Sequence, residues 1–154
     1  RFALEHVDLR ALVAATPTFY EYPMCDRDPL PNWSHERVTL LGDAAHPMYP
    51  MGSNGASQTI LDAREIAQCL ATTSDVAQAF RAYEGARRPT TTRVVQMNRA
   101  GGPEGVIDVV ERLAPEGFDR IDDVIARDEL EAMLKSYATA AGFGKEQVNR
   151  LPPP

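Results

Sequence analysis

The chain has 154 residues, of which 44% are hydrophobic and 25% are charged, values typical of one soluble globular domain. No stretch approaches the roughly 18 consecutive apolar residues that span a membrane. The net charge of −6 argues against nucleic acids and anionic membranes as partners, because proteins bind these polyanions through basic patches.

The first residues and the two cysteines indicate the setting of the chain, namely whether it is part of a longer protein and in which compartment it is found. The first residues include no initiator Met, no apolar segment of a signal peptide and no small-residue cleavage site, so we expect the chain to belong to a longer protein. Cys25 and Cys69 are far apart and lack metal-ligand spacing. They indicate reduced thiols and a cytoplasmic location.

The N-terminal part contains short predicted elements. Residues 7–14 form an apolar-patterned helix, and the aromatic, alternating residues 18–24 predict a strand, although Pro23 disfavours its interior. After a turn-rich segment, residues 37–41 form an apolar, partly β-branched run typical of a strand covered on both faces. Gly42 and Asp43 end that strand.

Helices dominate the rest of the sequence. Residues 56–71 carry an apolar stripe that we expect to pack on the sheet; its members are Ile60, Ala63, Ala67 and Leu70. A second helix is predicted to start after Ser74 as N-cap and to continue towards Asn98, with Pro89 kinking or dividing it.

Two further helices are predicted over residues 106–113 and 121–141, the last ending at Gly142. The Pro152–Pro154 tail is predicted to be frayed. The fold class is therefore α/β, with one or few strands and a helix-rich C-terminal half.

The loop after the strand at 37–41 is the candidate binding element. Asp43 lies at the carboxyl end of a strand, where α/β sheets bind ligands, and its carboxylate can accept hydrogen bonds from sugar-like hydroxyls. Local capping of backbone groups is an equally good interpretation of Asp43. Gly52 and Gly55 stand just before a helix, whose free amides favour an anion, although a Gly-x-x-Gly pair also occurs in ordinary connections.

Other polar residues receive structural interpretations. His46 has no nucleophile or ligand pattern around it, so we interpret it as a structural residue that bonds the loop. The arginines of the second long helix predict a solvated face balanced by acidic C-terminal helices; they are Arg81, Arg87, Arg88, Arg93 and Arg99. The C-terminal acidic residues lack metal-loop spacing and are interpreted as surface charge; they are Asp119, Asp122, Asp123, Asp128, Glu129 and Glu131. We expect no metal site.

Taken together, these residues carry a family resemblance. The run from Leu41 to Pro47, followed by Pro50, Gly52, Asn54 and Gly55 and then by the helical Asp62-Ala-Arg64, resembles the second FAD-binding motif of single-component flavin monooxygenases, the p-hydroxybenzoate hydroxylase-like family. Tyr22-Pro-Met, Asp26-Arg-Asp-Pro29 and Trp33 resemble the branch that contains phenazine-carboxylate hydroxylases. The resemblance implies a C-terminal fragment of that FAD-binding fold.

The resemblance also implies roles for individual residues. Gly42 and Asp43 form the motif that binds the ribityl chain of FAD, and Pro50 and Gly52 pass close to the isoalloxazine ring. Asn54 belongs to the same loop. The amides of Gly55, Ala56 and Ser57 face the pyrimidine end of the ring, where a positive helix end stabilises the reduced flavin. Tyr20, Tyr22 and Met24 could face the substrate, although a plain core role explains them equally well. No residue of the chain is implied as catalytic.

By the same resemblance, residues 1–36 end the substrate-domain sheet, residues 37–100 form an FAD-binding segment and residues 101–154 form a helical extension. The implied reaction uses NAD(P)H and O2 to hydroxylate a small aromatic substrate through a flavin C4a-hydroperoxide, and a homodimer is left open. No Gly-x-Gly-x-x-Gly follows a strand, so the site for the ADP half of FAD is expected outside this chain.

Two alternatives remain open. The parent could be another FAD oxidoreductase with this motif, such as an epoxidase, a halogenase or a reductase. The chain could also be an inactive fragment or a non-catalytic interaction module, which flavin titration would distinguish.

Overall fold

Helices make up most of the part of the chain that can be described. The computed structural model describes residues 6–150, with side chains to residue 147. The helices are α1 (Leu9–Ala15), α2 (Gly55–Thr72), α3 (Val76–Arg99), α4 (Gly105–Leu113), α5 (Arg127–Ala140) and α6 (Lys145–Arg150). The strands are β1 (Ser34–His35) and β2 (Val38–Thr39). This mixed α/β composition confirms the predicted fold class.

The sheet in the described region is a minimal hairpin. β1 and β2 pair antiparallel, with Ser34 opposite Thr39 and His35 opposite Val38. The hairpin lies against α3, where the Ser34 amide donates to the Glu84 carboxylate at 2.9 Å. The predicted strand over residues 37–41 is thus shortened to two residues, and the expectation of two covered faces is wrong because Val38 is 67% exposed.

The predicted strand over residues 18–24 is wrong for this structure. These residues have no regular secondary structure, and all of their side chains are exposed. A strand needs a neighbour that accepts and donates its backbone hydrogen bonds, and Pro23 removes one donor. The part of the chain described here supplies no such neighbour for this segment.

Helix α2 has the predicted position in the sequence, but it buries a different face from the predicted one. Its buried residues are the polar Gln58 and Asp62, four positions apart on one face, and they lie towards α3. The predicted apolar stripe is on the opposite side: Ile60 is 69% exposed and Leu70 is 42% exposed. The expectation that the stripe packs on a sheet is wrong here because the described hairpin packs on α3 instead.

Helix α3 is the central element. Its N-cap is Asp75 rather than Ser74, with the Asp75 carboxylate accepting from the amides of Ala77 and Gln78. The helix is not divided at Pro89. Pro89 cannot donate to the carbonyl of Gly85, but Gly85 is exposed, so solvent can satisfy that carbonyl.

Two apolar clusters along α3 form the core. The first joins Trp33, Ala45 and Tyr83, with the Trp33 and Tyr83 rings 5.8 Å apart. The second joins Val94 to Tyr137 and Ala141 of the C-terminal region. Helix α3 therefore connects the loop region to the C-terminal helices.

The C-terminal helices agree in part with the sequence. The predicted helix over residues 106–113 is confirmed as α4. The predicted helix over residues 121–141 is divided into a short 3-10 turn at Ile121–Asp123 and α5, which is followed by Gly142 in a left-handed conformation. The predicted fraying of Pro152–Pro154 concerns residues outside the described range. None of the helices in residues 6–150 combines the length and apolar character needed to cross a bilayer.

The shift of the N-cap from Ser74 to Asp75 can be tested directly. Asp75→Ala should lower the free energy of unfolding by about 1 kcal/mol, because two helix amides lose their acceptor. Ser74→Ala is the matched control and should change it by less than about 0.5 kcal/mol. Urea unfolding measures both variants, and a larger loss for Ser74→Ala would contradict the observed cap.

Candidate functional site

The Gly42–Ala44 turn begins the candidate site. Gly42 is buried with a φ of 60°, and a Cβ there would lie 2.9 Å from Oγ1 of Thr59 on α2. A larger residue would be strained in backbone and in packing. Gly42 thus lets the turn lie directly against α2.

Asp43 points away from this packing. Its side chain is exposed, and among the described residues its carboxylate accepts no hydrogen bond from a backbone amide. The turn itself is held from the other side, because the Arg27 guanidinium donates to the Ala44 carbonyl at 2.6 Å. Of the two interpretations from the sequence, local capping is not realised, and Asp43 presents a charged acceptor on a fixed turn.

The second loop contains the turn Met51–Ser53. Gly52 has a φ of 67°, and its N–H donates to both carboxylate oxygens of Glu104, at 2.8 and 2.9 Å. A Cβ on Gly52 would lie 2.7 Å from the Tyr137 hydroxyl. The close approach that this glycine permits is therefore made by Tyr137 of the protein itself.

The start of α2 differs from this turn because it is open. A Cβ on Gly55 would have no atom within 4 Å outside the immediate backbone, and Asn54 makes no side-chain cap bond to the helix. The first helical bond to Asn54 comes from Gln58. The amides of Gly55, Ala56 and Ser57 precede it and lack intrahelical partners, so they place a partial positive charge at this end of α2.

A buried carboxylate holds these pieces together. Asp62 is fully buried on α2 and accepts from the Gly42 amide at 3.1 Å, from His46 Nε2 at 2.5 Å and from Arg87 Nε at 2.7 Å. Since an ionised carboxylate only accepts, Nε2 of His46 carries a proton. The guanidinium also donates to Gln58 Oε1 at 2.6 Å. One charge pair thus joins the Gly42 turn, α2 and α3.

The protonation of Asp62 follows from these contacts. Burial favours the neutral acid, but the hydrogen bonds from His46 and Arg87 outweigh it and hold the pKa of Asp62 below its ordinary value. Asp62 is consequently ionised at neutral pH.

Three interpretations from the sequence can now be compared with the structure. His46 is buried and bonded to Asp62, which agrees with a structural role. The solvated arginine face is wrong for Arg87, which is buried against Asp62, and Arg99 pairs with Asp26 and Asp28 rather than with the C-terminal helices. The acidic residues interpreted as surface charge are exposed as expected; they are Asp119, Asp122, Asp123, Asp128, Glu129 and Glu131. Within residues 6–150, no group of three potential ligands could hold a metal ion.

The candidate substrate residues lie apart from this loop arrangement. Tyr20, Tyr22 and Met24 are exposed on the irregular segment, with the two tyrosine rings 6.3 Å apart. The structure does not place them in the predicted strand. Their role remains a prediction.

Sequence reasoning missed several residues that shape the site. In the sequence, Asp62 is marked only by the family resemblance, and the pattern around Arg87 predicts only a solvated face. The polar pair Gln58 and Asp62, one helical turn apart, was the signal for a buried polar face. Glu104 and Tyr137 gave no signal, because their contacts join positions far apart in the chain.

Comparisons with known proteins show which proteins this chain resembles. Residues 23–98 match the FAD binding domain family. The chain is 55% identical over 93 residues to a phenazine 1,6-dicarboxylic acid hydroxylase of Lysobacter antibioticus, which covers 60% of this chain and 23% of that protein. It is 42% identical over 99 residues to a 6-hydroxynicotinate 3-monooxygenase of Bordetella bronchiseptica, covering 63% and 26%.

A third relative extends further along the chain. It is a 3-amino-4-hydroxybenzoate 2-monooxygenase of Streptomyces platensis, 40% identical over 128 residues, covering 79% of this chain and 32% of that protein. The chain thus spans between 23% and 32% of the length of these relatives. Residues 23–98, just under half of the chain, match this family, and the resemblance to ring-hydroxylating flavin monooxygenases is confirmed.

The role of Asp62 gives a stability prediction. Asp62→Asn should lower the free energy of unfolding by about 3–5 kcal/mol, because it leaves the buried Arg87 guanidinium without a counter-charge. Glu131→Gln is the control, since it breaks an exposed pair with Arg127 and should cost less than about 1 kcal/mol. Equal losses in denaturant unfolding would contradict the central place of Asp62.

The same variant gives a pH dependence. Because the pKa of Asp62 is lowered on folding, its ionised form stabilises the protein above the unfolded value of about 4, and this contribution is lost as the pH falls through the folded value. The difference in stability between wild type and Asp62→Asn should therefore shrink below about pH 4. A difference that stays constant from pH 7 to pH 3 would contradict the assignment.

Proposed function

We propose that the complete protein is an FAD-dependent monooxygenase that hydroxylates a small aromatic substrate with NAD(P)H and O2. This chain supplies one side of its flavin site. The main support is the contact of Asp62 on α2 with the Gly42 turn, which holds two groups with free hydrogen-bonding capacity near each other. These groups are the Asp43 carboxylate and the amides at the start of α2. Both lie in the segment that matches the FAD binding domain family. The names of the relatives support the class of reaction.

The residues present fit the cofactor chemically. Asp43 is an exposed charged acceptor suited to the hydroxyls of a ribityl chain. The open space at Gly55 admits a planar ring edge, and the free amides of Gly55, Ala56 and Ser57 suit the carbonyl and nitrogen acceptors of a pyrimidine. Pro50 and Gly52 pass beside the ring in this proposal, while Gly42 and Asn54 shape the two loops.

The contribution of the chain is binding and electrostatic. Bound FAD would supply the redox chemistry, by accepting a hydride from NAD(P)H and delivering one oxygen atom of O2 to the substrate. The positive end of α2 stabilises negative charge on the pyrimidine side of the ring. No residue of this chain is proposed as a nucleophile or proton donor.

The remaining assignments also belong to this proposal. Tyr20, Tyr22 and Met24 are proposed to contact the aromatic substrate, to which exposed aromatic side chains are suited. A cytoplasmic location is supported by Cys25 and Cys69, which are free thiols in the structure. The ADP half of FAD is proposed to bind outside this chain.

The function is tested on the complete protein. We expect it to purify with bound FAD and to consume NAD(P)H when an aromatic substrate is added. Asp43→Ala should weaken FAD binding about 10- to 100-fold, because a charged acceptor is lost, whereas Asp119→Ala, which removes another exposed carboxylate, should not. A folded complete protein that binds no flavin would sink the proposal.

The open space at Gly55 allows a more specific test. Gly55→Ala and Gly85→Ala both add a methyl group to a helical glycine with nothing within 4 Å, so both should leave stability equal or raise it by up to about 1 kcal/mol. Only Gly55→Ala should weaken FAD binding, because only its methyl group enters the proposed ring site. Flavin titration and thermal unfolding distinguish this from a general folding defect, and equal affinities for the two variants would contradict the placement.

A further inference from the structure

Tyr137 on α5 contacts the loop that runs from Tyr49 to Asn54. Its side chain is buried, and its hydroxyl accepts from Nδ2 of Asn54 at 3.0 Å and donates to Asn98 Oδ1 at 2.6 Å. Nδ2 of Asn98 in turn donates to the Tyr49 carbonyl at 2.9 Å. The phenol thus connects both ends of the loop to α3 and α5.

Glu104 holds the middle of the same loop. It lies in a 3-10 turn at Gly102–Glu104 before α4, and both of its carboxylate oxygens accept from the Gly52 amide. Burial, together with the negative charge of Glu104, raises the pKa of Tyr137, although the Asn54 hydrogen bond opposes this shift. The hydroxyl therefore stays protonated at neutral pH and remains a donor to Asn98.

The loop needs such support because its conformation is unfavourable by itself. Gly52 and the following Ser53 both have positive φ, 67° and 51°, and for a residue other than glycine this conformation costs about 1 kcal/mol or more. Few local bonds offset it: the Ser53 amide donates to Pro50. The remaining contacts on Gly52 come from Glu104 and Tyr137, both outside the matched segment at 23–98.

We propose that Tyr137 and Glu104 are positioning residues of the flavin site: they fix the loop at 49–54, and with it the start of α2, in the orientation that faces the isoalloxazine ring. This inference rests on the proposed function. It gives the segments beyond residue 98 a part in cofactor binding. They contact the loop at 49–54, and this loop in turn faces the flavin. The environment of the ring is thereby set by both parts of the chain.

The test uses the complete flavoprotein and two conservative variants. Tyr137→Phe keeps the ring beside Gly52 and removes only the hydroxyl, while Glu104→Gln keeps the size and removes the charge. We expect each to raise the dissociation constant for FAD about 3- to 10-fold, the loss expected for one or two hydrogen bonds. We also expect a shifted visible absorption spectrum of the bound flavin, which a loss of stability alone does not produce.

Matched controls separate positioning from stability. Asp75→Ala removes the N-cap of α3, which does not contact the 49–54 loop, and Glu111→Gln removes an exposed carboxylate of α4. Both should keep the dissociation constant within about 2-fold, while Asp75→Ala loses thermal stability comparably to Tyr137→Phe.

The outcomes distinguish the two proposals. If wild type binds FAD but the two variants retain its affinity and spectrum, the positioning role is wrong and the proposed function stands. If wild type binds no FAD, the proposed function fails and this inference fails with it. If Tyr137→Phe does not fold, Glu104→Gln decides, because Glu104 is only half-buried and its replacement keeps the packing.

Discussion

The structure depends on one buried charge. Asp62 is removed from water on α2, and an isolated carboxylate there would be too costly to remain ionised. Three donors compensate it, from the Gly42 backbone, His46 and Arg87. Because these donors come from the turn, its following loop and α3, the ionised state of Asp62 requires all three elements to meet. Next to these donors, Trp33 and Tyr83 pack with Ala45 and form the first core cluster.

This arrangement explains why three glycines near one site have different reasons to be glycine. Gly42 and Gly52 have positive φ and lie against Thr59 and Tyr137, so their backbone conformation and the packing within the protein both require glycine. Gly55 has ordinary helical backbone and empty space beside it. Of the three, Gly55 is the one whose lack of a side chain leaves room for a ligand.

The sequence predicted local features well and partners poorly. Caps and periodicity predict the limits of α1, α2 and α4 to within a few residues. For α2, the prediction was wrong only about which face of the helix is buried. Ile60 and Leu70 suggested an apolar interface, but burial depends on a partner, and Arg87 selected the opposite face by pairing with Asp62. Residues 18–24 likewise have strand-like side chains without a neighbouring strand. The sequence predicts a ligand loop from Gly42 to Gly55, and this role stays a prediction. Glu104 and Tyr137 contact the loop from distant positions in the chain, which no local pattern records.

Asp62 builds the frame of the site, and we propose that Asp43 and the start of α2 contact the cofactor. A crystal structure of the complete protein with FAD is the direct test of this division of roles. We expect the Asp43 carboxylate within hydrogen-bond distance of a ribityl hydroxyl and the pyrimidine edge at the amides of Gly55 to Ser57, with Asp62 still bonded to Gly42, His46 and Arg87. A flavin that contacts neither Asp43 nor the start of α2, or that hydrogen-bonds directly to Asp62, would contradict these roles.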